Sequence, residues 1–391
     1  MSEKKLLPKL RFKGFDDEWK SYKIGDISKT YSGGTPSTSI KEYYEGDIPF
    51  IKSGEINNDI TEQHITEDAI NNSSAKRVQK GDLLLALYGA TSGEVAISKI
   101  NGAINQAVLK IDNDMDNYFQ YNYFLKYKEQ ITHKYLQGGQ GNLSANIIKK
   151  LEFKFPELSE QQKISKFLLL IDKKIQFLEK KHTAYQDFKK YLMQQIFAQK
   201  LRFDFTDKWD KYNLGDISTI GKGFTPSTSN PNFWDGDINW LSIADMNQGK
   251  YIEKTAKKIT EEGCKNKKIV EKDTLIMSFK LTIGRLGILK QDMFTNEAIC
   301  NFKWKNNNIL TEYMYYYLSS INILKYGSQA AKGITLNNDT LSTIPVLLPS
   351  IEEQQKIVDI LSNTDIKIQF IQDNIEDIEK FKKGLLQQMF V

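Results

Sequence analysis

The feature that most constrains this chain is an internal repeat. Segments of the first half recur in the same order in the second half, at a shift of about 190 residues. The matching segments are Leu10–Phe12 with Leu201–Phe203, Trp19–Ser28 with Trp209–Ser218, Thr35–Ser39 with Thr225–Ser229, Gly46–Ile48 with Gly236–Ile238, and Glu160–Ile164 with Glu353–Ile357. Residues 56–80 and 246–271 are poorly alike. The chain is therefore two copies of one unit that carry divergent inserts in a shared frame.

Each copy ends in a segment with the periodicity of a long helix. Behind Pro156 and Pro349, apolar residues alternate in steps of four and three, which is the heptad stripe of a coiled coil. The stripe residues are Ile164, Leu168, Ile171, Ile175, Leu178, Tyr185, Leu192 and Ile196 in the first copy, and Ile357, Leu361, Ile368, Ile371, Ile375, Ile378, Leu385 and Met389 in the second. The polar residues His182, Lys189, Thr364 and Lys382 occupy gaps in the stripes. A helix of about 40 residues is about 60 Å long, so each helix needs a partner along its length.

The charges of the two segments predict that they pair with each other. Residues 159–200 hold nine lysines and four acids, whereas residues 351–391 hold five lysines and eight acids. Opposite net charge favours pairing, and the intervening domain lets the chain turn round, so we expect an antiparallel coiled coil. Ser159 and Ser350 are predicted to cap the two helices. The second helix lacks the Leu-Arg-Phe continuation that Leu10–Phe12 supplies, so we expect the chain ends to lie close together around a pseudo-two-fold axis.

Each globular part combines short apolar runs with tyrosine-rich helical stretches. Asp82–Tyr88 and Asp273–Phe279 are predicted strands, while residues 117–128 and 311–326 are predicted helices. The expected fold class is α+β. The predicted domains are residues 1–155, a central helix at 156–200, a second globular domain at 201–348, and a C-terminal helix at 349–391.

Composition limits the classes of protein that fit. The fraction of apolar residues is 40%, which suffices for globular cores, and the two cysteines exclude a disulfide framework. No run of about 18 apolar residues occurs, so we expect a cytosolic protein without a membrane span. The net charge of +5 is mild for a DNA-binding protein. If the partner is DNA, another subunit must share the phosphate contacts.

A search for catalytic motifs finds none that both copies share. Asn230-Pro231-Asn232-Phe233 is similar to the Asn-Pro-Pro-aromatic motif of DNA methyltransferases, but a proline turn is the favoured interpretation and the first copy has Ile40-Lys41-Glu42-Tyr43 instead. The three histidines have no metal-ligand spacing. Glu18-Trp19-Lys20 fits a nuclease pattern poorly, because its counterpart is Lys208-Trp209-Asp210.

Three loops rich in Gly, Ser and Thr recur in both copies. They are Ser32–Ser39 with Gly221–Ser229, Tyr88–Glu94 with Lys280–Arg285, and Gln137–Ser144 with Ser328–Asn337. Small residues let backbone amides approach phosphates, while amide and basic side chains can recognise base edges. Any single loop fits ordinary turn chemistry equally well. The recurrence of all three favours a binding face.

Two divergent domains, each closed by a proline and a Glu-Gln-Gln-Lys-Ile helix start, resemble the specificity subunit of type I restriction-modification systems. The resemblance spans nearly the whole chain. It implies two target recognition domains, each of which recognises one half of a bipartite DNA site, with the long helices setting the spacer and docking the modification subunits. It also implies that this chain is not an enzyme and holds no cofactor.

The same resemblance assigns adenine methylation with S-adenosylmethionine to modification subunits, two of which we expect. ATP- and Mg-dependent translocation and cleavage belong to restriction subunits. The predicted DNA-binding residues are Thr35, Ser37, Thr91, Ser92, Gln140, Asn142, Thr225, Ser227, Lys280, Thr282, Arg285, Lys332 and Thr335. The predicted partner-binding residues are Gln161, Gln162, Ile164, Gln354, Gln355 and Ile357. Two alternatives stay open: a self-contained DNA methyltransferase, and a coiled-coil scaffold with no DNA partner.

Overall fold

A computed structural model describes residues 7–136, 142–280, 282–330 and 333–391 of the chain. The chain folds into two compact units. Unit 1 comprises Met1–Lys180 and Gln372–Val391, and unit 2 comprises Lys181–Ile371. Each unit thus contains one globular part together with one half of each long helix.

In unit 1, short strands and helices precede the first long helix. The strands are β1 Lys20–Lys23, β2 Lys29–Ser32, β3 Ile48–Ile51, β4 His64–Ile65, β5 Lys76–Val78, β6 Leu83–Ala86, β7 Val95–Ile97, β8 Gly102–Ile104, β9 Val108–Asp112 and β10 Glu152–Phe155. The helices are α1 Ile24–Ile27, α2 Glu67–Asn71, α3 Asn117–Leu136, α4 Ala145–Lys149 and α5 Leu158–Phe197. Predicted strand 82–88 and predicted helix 117–128 are both confirmed, as β6 and α3.

Two four-stranded sheets form the globular part of unit 1. Their strand orders are β2-β9-β6-β7 and β4-β3-β8-β5, and β1 pairs separately with β10. Strand β6 is buried on both faces, which explains its continuous apolar sequence. The main core joins one face of the first sheet to α3 and to residues of both long helices, including Leu168 and Leu385.

Unit 2 repeats this plan with local differences. Its strands are β11 Asp210–Asn213, β12 Ser218–Lys222, β13 Trp234–Leu241, β14 Tyr251–Ile252, β15 Lys257–Ile259, β16 Leu275–Ser278, β17 Leu286–Leu289, β18 Phe294–Thr295, β19 Ile299–Trp304, β20 Ser328–Ala330, β21 Gly333–Thr335 and β22 Pro345–Leu348. Its helices are α6 Leu214–Ile217, α7 Thr311–Ser320, α8 Asn338–Ser342 and α9 Ile351–Met389. The predicted helix at 311–326 ends early, because a separate 3-10 turn covers Ile323–Tyr326.

The sheets of unit 2 follow those of unit 1. Their orders are β12-β19-β16-β17-β14 and β15-β13-β18, with β11 paired to β22 and β20 to β21. The counterpart of β4 is β15, since Ile65 lies opposite Ile48 and Ile259 lies opposite Ile238. The α+β fold class and the repeat are therefore confirmed.

The heptad stripes are the buried faces of α5 and α9. Every stripe residue is buried or half-buried. In unit 1 the Lys382 Nζ lies 2.6 Å from a carboxylate oxygen of Asp172, and in unit 2 the Lys189 Nζ lies 2.5 Å from one of Asp365. The two lysines that interrupt the stripes thus form ion pairs between the helices. A polar pair of this kind fixes helix register.

A tyrosine completes each of these ion pairs. The Tyr118 hydroxyl donates to Asp172 in unit 1, and the Tyr316 hydroxyl donates to Asp365 over 2.6 Å in unit 2. Burial, and then the hydrogen bond to Asp365, raise the pKa of Tyr316 above its ordinary value. The phenol therefore stays protonated and keeps donating. Each globular part is anchored in this way to the helices of its own unit.

The repeated Leu-Arg-Phe triplet supplies a buried ion pair in each unit. Arg11 donates from Nε and Nη2 to both carboxylate oxygens of Glu160, over 2.7 and 2.8 Å. Arg202 binds Glu353 in the same bidentate manner, over 3.0 and 2.7 Å. The Glu160 side chain is completely buried. This arrangement links the start of each globular part to the start of the long helix that follows it.

The first glutamine of each Glu-Gln-Gln motif holds the proline before the helix. Gln161 donates to the Pro156 carbonyl over 2.8 Å, and Gln354 donates to the Pro349 carbonyl over 3.0 Å. Ser350 caps α9 as predicted, because its hydroxyl accepts from the Glu353 amide. The same prediction was wrong for Ser159. Helix α5 begins at Leu158, two residues before a helix capped by Ser159 would begin, and the Ser159 hydroxyl donates to Glu157.

The chain ends meet as the repeat predicted. The Leu10 amide donates to the Gln388 carbonyl over 3.0 Å, both within unit 1. The equivalent bond in unit 2 runs from Leu201 to Gln195 over 3.2 Å, along the continuous chain. Unit 1 therefore closes across the two termini in the way that unit 2 closes within the sequence.

Candidate nucleic-acid interface

The first recurring loop, Ser32–Ser39 or Gly221–Ser229, packs directly on backbone. A Cβ at Gly33 would lie 1.7 Å from the Ile104 carbonyl oxygen, and one at Gly223 would lie 2.1 Å from that of Thr295. Only glycine fits at these two positions. The close approach brings the Thr-Pro-Ser part of each loop, in which the proline is buried and the serine is exposed, over the turn that follows β8 or β18.

In unit 1 the first two recurring loops lie together with the described end of the third, residues 142–144. The Thr35 hydroxyl donates to the Gln106 side chain, and the Tyr88 hydroxyl donates to the Gln106 carbonyl over 2.5 Å. Burial raises the pKa of the Tyr88 phenol, which keeps its proton available. The second loop is joined to the third, since the Leu87 carbonyl accepts from Ser92 Oγ and from the Leu143 amide, each over 2.8 Å.

In unit 2 the same loops are joined through different side chains. Asn296 donates to the Thr225 hydroxyl over 3.0 Å, and that hydroxyl donates to Glu297, the counterpart of Gln106. Lys222 of the first loop and Lys280 of the second both approach the Phe279 ring. The Nζ atom of each lies 5.8 Å from the ring centre. Asn338, next to the third loop, donates to the Ile220 carbonyl over 3.1 Å.

The second loop depends on a glycine in each unit. Gly93 and Gly284 have φ of +87° and +86°, a backbone conformation that favours glycine. A Cβ at Gly93 would also lie 2.5 Å from the Thr132 methyl group, whereas one at Gly284 would meet nothing nearer than 3.9 Å. The two copies share the turn and differ in how tightly it is packed.

Most predicted DNA-binding residues lie on these two faces, one in each unit. The exposed ones are Thr35, Ser37, Asn142, Ser227, Lys280 and Thr282, and the half-buried ones are Thr91, Ser92, Thr225 and Arg285. Gln140 and Lys332 lie outside the described residues. Thr335 lies on β21, opposite Ser328. Gln106 and Glu297 are exposed on the same faces, and the only signal that could have selected them is their place after a repeated asparagine.

The predicted partner-binding residues divide into two groups by exposure. Gln161, Ile164, Gln354 and Ile357 are each 1% exposed, and the two glutamines bond within their own units. Gln162 and Gln355 are exposed. Contact with a partner protein stays a prediction, and the accessible side chains for it are those of the second glutamine in each motif.

The enzyme-like motifs have structural roles. Asn230 caps the 3-10 turn Pro231–Phe233 by accepting from the Asn232 amide over 3.1 Å, as expected of a proline turn. Trp19 is buried at 1% exposure. In the described ranges, no group of three or more His, Cys, Asp or Glu side chains could hold a metal ion. Among the same residues, no helix is long and apolar enough to cross a bilayer.

Comparison with known families identifies the repeated unit. The family described as "Type I restriction modification DNA specificity domain" matches twice, over residues 16–186 and 206–380. The chain belongs to this family. The two matches fall on the two copies of the repeat, and each contains one set of the recurring loops. The resemblance drawn from the sequence is confirmed.

Individual relatives agree with the family. A stretch of 190 residues is 31% identical to the MjaIX specificity subunit of Methanocaldococcus jannaschii, covering 47% of this chain and 44% of that protein. The MjaVIII specificity subunit of the same organism is 23% identical over 398 residues, covering 95% of this chain and 91% of that protein.

Solved structures agree in fold. The S subunit of a type I restriction-modification system from M. genitalium matches with a TM-score of 0.62 at 17% identity, over 98% of this chain and 99% of that one. A second solved chain matches with a TM-score of 0.63 at 14% identity, over 96% of this chain and 98% of that one. It comes from a structure that describes complex assembly and conformational transition of the type I R-M system.

Proposed function

We propose that this chain is the DNA-recognising specificity subunit of a type I restriction-modification complex, with each unit recognising one half of a bipartite DNA site. The observation that carries the proposal is that the first two recurring loops lie together on one face of each unit, with described residues at the end of the third loop bonded beside them, within each of the two matched specificity domains. Exposed hydroxyl, amide and basic side chains on such a face can bond to base edges and phosphates.

The two faces carry different chemistry, which supports recognition of two different half-sites. Lys280 follows β16 at the position where Tyr88 follows β6, and Arg285 follows Gly284 where Glu94 follows Gly93. In unit 1, Glu94 is paired with Lys128 over 2.5 Å. A carboxylate can accept from cytosine, and arginine binds guanine in a bidentate manner, so the two faces favour different bases on the strand that each one contacts.

We propose that this chain contributes recognition and no catalysis. Both enzyme-like motifs serve as structure, and the repeated acid at the start of each long helix, Glu160 or Glu353, is buried in an ion pair with arginine. Adenine methylation with S-adenosylmethionine would then take place in modification subunits. ATP- and Mg-dependent translocation and cleavage would take place in restriction subunits.

The long helices offer two equivalent faces for modification subunits. Two phenylalanines on α5 and two at matching positions on α9 are exposed by 49 to 60%. They are Phe177 and Phe381 in unit 1, and Phe370 and Phe188 in unit 2. Large apolar side chains kept on the surface at repeated positions are typical of protein interfaces. We propose that each pair, together with Gln162 or Gln355 of the same unit, docks one of two modification subunits and that the helices set the spacer of the DNA site.

Co-expression with the cognate modification subunit tests the function. Mapping methylated adenines across the host genome should give a split motif with a fixed, unspecified spacer. A continuous motif would contradict bipartite recognition. Binding of S-adenosylmethionine by the purified chain alone would favour a self-contained methyltransferase, and absence of any sequence-selective DNA binding by the assembled complex would favour a scaffold.

The docking face is tested separately. Phe177→Ser with Phe381→Ser should reduce the number of modification subunits that co-purify from two to one, while Phe188→Ser with Phe370→Ser should remove the other. Retention of two subunits by both variants would contradict the proposed docking faces. The exposed Ile60, at 76% exposure and outside both long helices, provides a control when it is replaced by serine in the same way.

A further inference from the structure

Unit 2 carries a cluster of exposed lysines that unit 1 lacks. The cluster, here called the lysine rim, comprises Lys257, Lys258, Lys265, Lys267 and Lys268, all of them exposed. Lys257 and Lys258 lie on β15, and the others lie in the turn that follows it. In the described part of the chain, none of the five lies within 4.0 Å of a carboxylate oxygen.

Unit 1 has a matching segment at these positions, with helix α2 where unit 2 has a turn and with different side chains. Thr66 and Thr260 are equivalent, because each donates its amide to the carbonyl of an aromatic residue shortly before the repeated Gly-Asp-Ile, over 3.0 Å to Tyr43 and 3.1 Å to Phe233. Counting from these threonines, the counterparts of the rim are Gln63, His64, Asn71, Ser73 and Ser74. Unit 2 thus has lysine at five positions where unit 1 has neither lysine nor arginine.

The acidic residues of this segment do not offset the difference. Glu261 and Glu262 of unit 2 match Glu67 and Asp68 of unit 1, so both segments hold the same two carboxylates. In unit 1 one of them is neutralised, since Glu67 is paired with Arg77. The divergence between the inserts is therefore concentrated in the lysines.

Aromatic rings hold two of the lysines beside the first loop. Lys267 Nζ lies 5.3 Å from the ring centre of Phe224, and Lys257 Nζ lies 5.4 Å from that of Trp234. Phe224 belongs to the first loop, and Trp234 donates to the Ser227 carbonyl of that loop over 3.1 Å. Cation–π contacts restrict where the ammonium groups lie. The rim thus borders the candidate DNA face of unit 2.

In unit 1, small neutral residues occupy the positions that match Phe224 and the lysines beside it. Gly34 stands where unit 2 has Phe224, and a Cβ on it would lie 2.5 Å from the Ser74 Cβ. The turn after α2 therefore packs against the first loop in unit 1 too. The two units present this edge in the same place. Unit 2 presents it with five lysines, whereas the exposed cations of unit 1 nearest to Ser74 in the sequence are Lys76 and Arg77 on β5, and Arg77 is paired with Glu67.

We propose that the lysine rim grips the phosphate backbone of duplex DNA, so that unit 2 makes more sequence-independent contacts with DNA than unit 1 does. This inference rests on the proposed function. Clustered, unpaired lysines at the edge of a base-recognising face match the phosphate contacts that position a protein on DNA without specifying sequence. The mild net charge of the whole chain conceals this asymmetry.

The test compares two triple variants of the full chain, each assembled with modification subunits. The rim variant carries Lys265→Asn, Lys267→Ser and Lys268→Ser, the residues of unit 1. The control variant carries Lys208→Gln, Lys211→Gln and Lys303→Gln, which are exposed lysines of unit 2. Lys303 lies opposite Thr219, at the other end of β12 from the first loop. Both variants lose three charges from the same unit.

Binding to a duplex with the mapped motif is measured by fluorescence anisotropy between 50 and 200 mM salt. The slope of log K against log salt is negative, and each lost phosphate contact makes it shallower by about 0.9. The loss of three contacts makes it shallower by about 2.7. We expect this change for the rim variant, an unchanged slope for the control, and the same methylated motif for both. Introducing Ser73→Lys and Ser74→Lys into unit 1 should steepen the slope.

Three results would overturn the inference in distinguishable ways. Equal slopes for the rim and control variants, with the split motif intact, would contradict the rim alone. A changed motif in the rim variant would show that these lysines recognise bases and not phosphates. A wild-type complex without a split motif would contradict the proposed function, and the inference about the rim with it.

Discussion

The buried ion pair of the Leu-Arg-Phe triplet allows a quantitative prediction. The Glu160 side chain is fully buried and Arg11 is 13% exposed, with both guanidinium–carboxylate bonds at 2.7 to 2.8 Å. Arg11→Met leaves a desolvated carboxylate without its cation. Breaking a buried pair in this way costs about 3–5 kcal/mol, a large share of the stability of a single domain.

Removing both charges should cost far less. Arg11→Met with Glu160→Met fills a similar volume with apolar atoms, and such replacements of buried ion pairs are often neutral or stabilising. The double variant should therefore lie within about 1.5 kcal/mol of the wild type, so that adding Glu160→Met recovers at least about 1.5 kcal/mol of the cost of Arg11→Met. The pair would then matter for closing unit 1 correctly more than for net stability.

Unit 2 provides the matched comparison. There the Trp209 indole also donates to Glu353, over 3.0 Å, while within the described residues the buried Trp19 nitrogen of unit 1 has no hydrogen-bond acceptor. In the Arg202→Met variant, the Glu353 carboxylate therefore keeps one hydrogen-bond donor, the Trp209 indole. Its cost should be smaller than that of Arg11→Met by about 1.5–3 kcal/mol, the contribution of one hydrogen bond to a charged group.

Hydrogen exchange of the full chain, resolved by peptide mass spectrometry, measures both effects. Peptides from the first turns of α5 report on unit 1, and those from the first turns of α9 report on unit 2. We expect Arg11→Met to increase exchange in α5 strongly and the double variant to restore protection. Equal exchange in the single and double variants, or an Arg11→Met effect under about 0.5 kcal/mol, would refute the reasoning.

Two further predictions concern individual residues. Gly93→Ala should destabilise unit 1 by more than Gly284→Ala destabilises unit 2. Both variants place alanine at a positive φ, at a cost of about 1–2 kcal/mol, but only the new Cβ at position 93 also clashes with Thr132. Equal shifts in melting temperature would contradict this. Burial, and then the nearby Tyr317 and Glu353, raise the pKa of Tyr313 well above 10. The unfolded state therefore loses this proton first, so stability is present below pH 10 and falls as pH rises above it, by about 1.4 kcal/mol per pH unit. Tyr313→Phe should reduce that slope in urea titrations, and an unchanged slope would show that Tyr313 does not contribute.

The sequence predicted the features that repeat or have a short period. The heptad stripes, β6, β16, α3 and the meeting of the chain ends all follow from local patterns or from comparing the two copies. Lys189 and Lys382 were visible only as gaps in a stripe. Their role required knowing that Asp172 and Asp365 lie opposite them.

Long-range pairing explains what the sequence did not show. Arg11 and Glu160 are 149 residues apart, so the recurrence of both motifs gave no sign that they bind each other. Gln161 and Gln354 are polar residues on a helix, for which exposure is the usual expectation. They are buried because each bonds to the proline carbonyl that precedes its helix. The lysine rim lies in the inserts, where comparison of the copies alone gives no alignment.

The most direct test of the central claim exchanges one unit's recognition region. Residues 201–350 of this chain are replaced by the corresponding segment of a relative with a different target, and methylated adenines are mapped with the same modification subunit. If each unit recognises its own half-site, one half of the split motif changes while the other half stays the same. A change in both halves, or in neither, would contradict the assignment of one half-site to each unit.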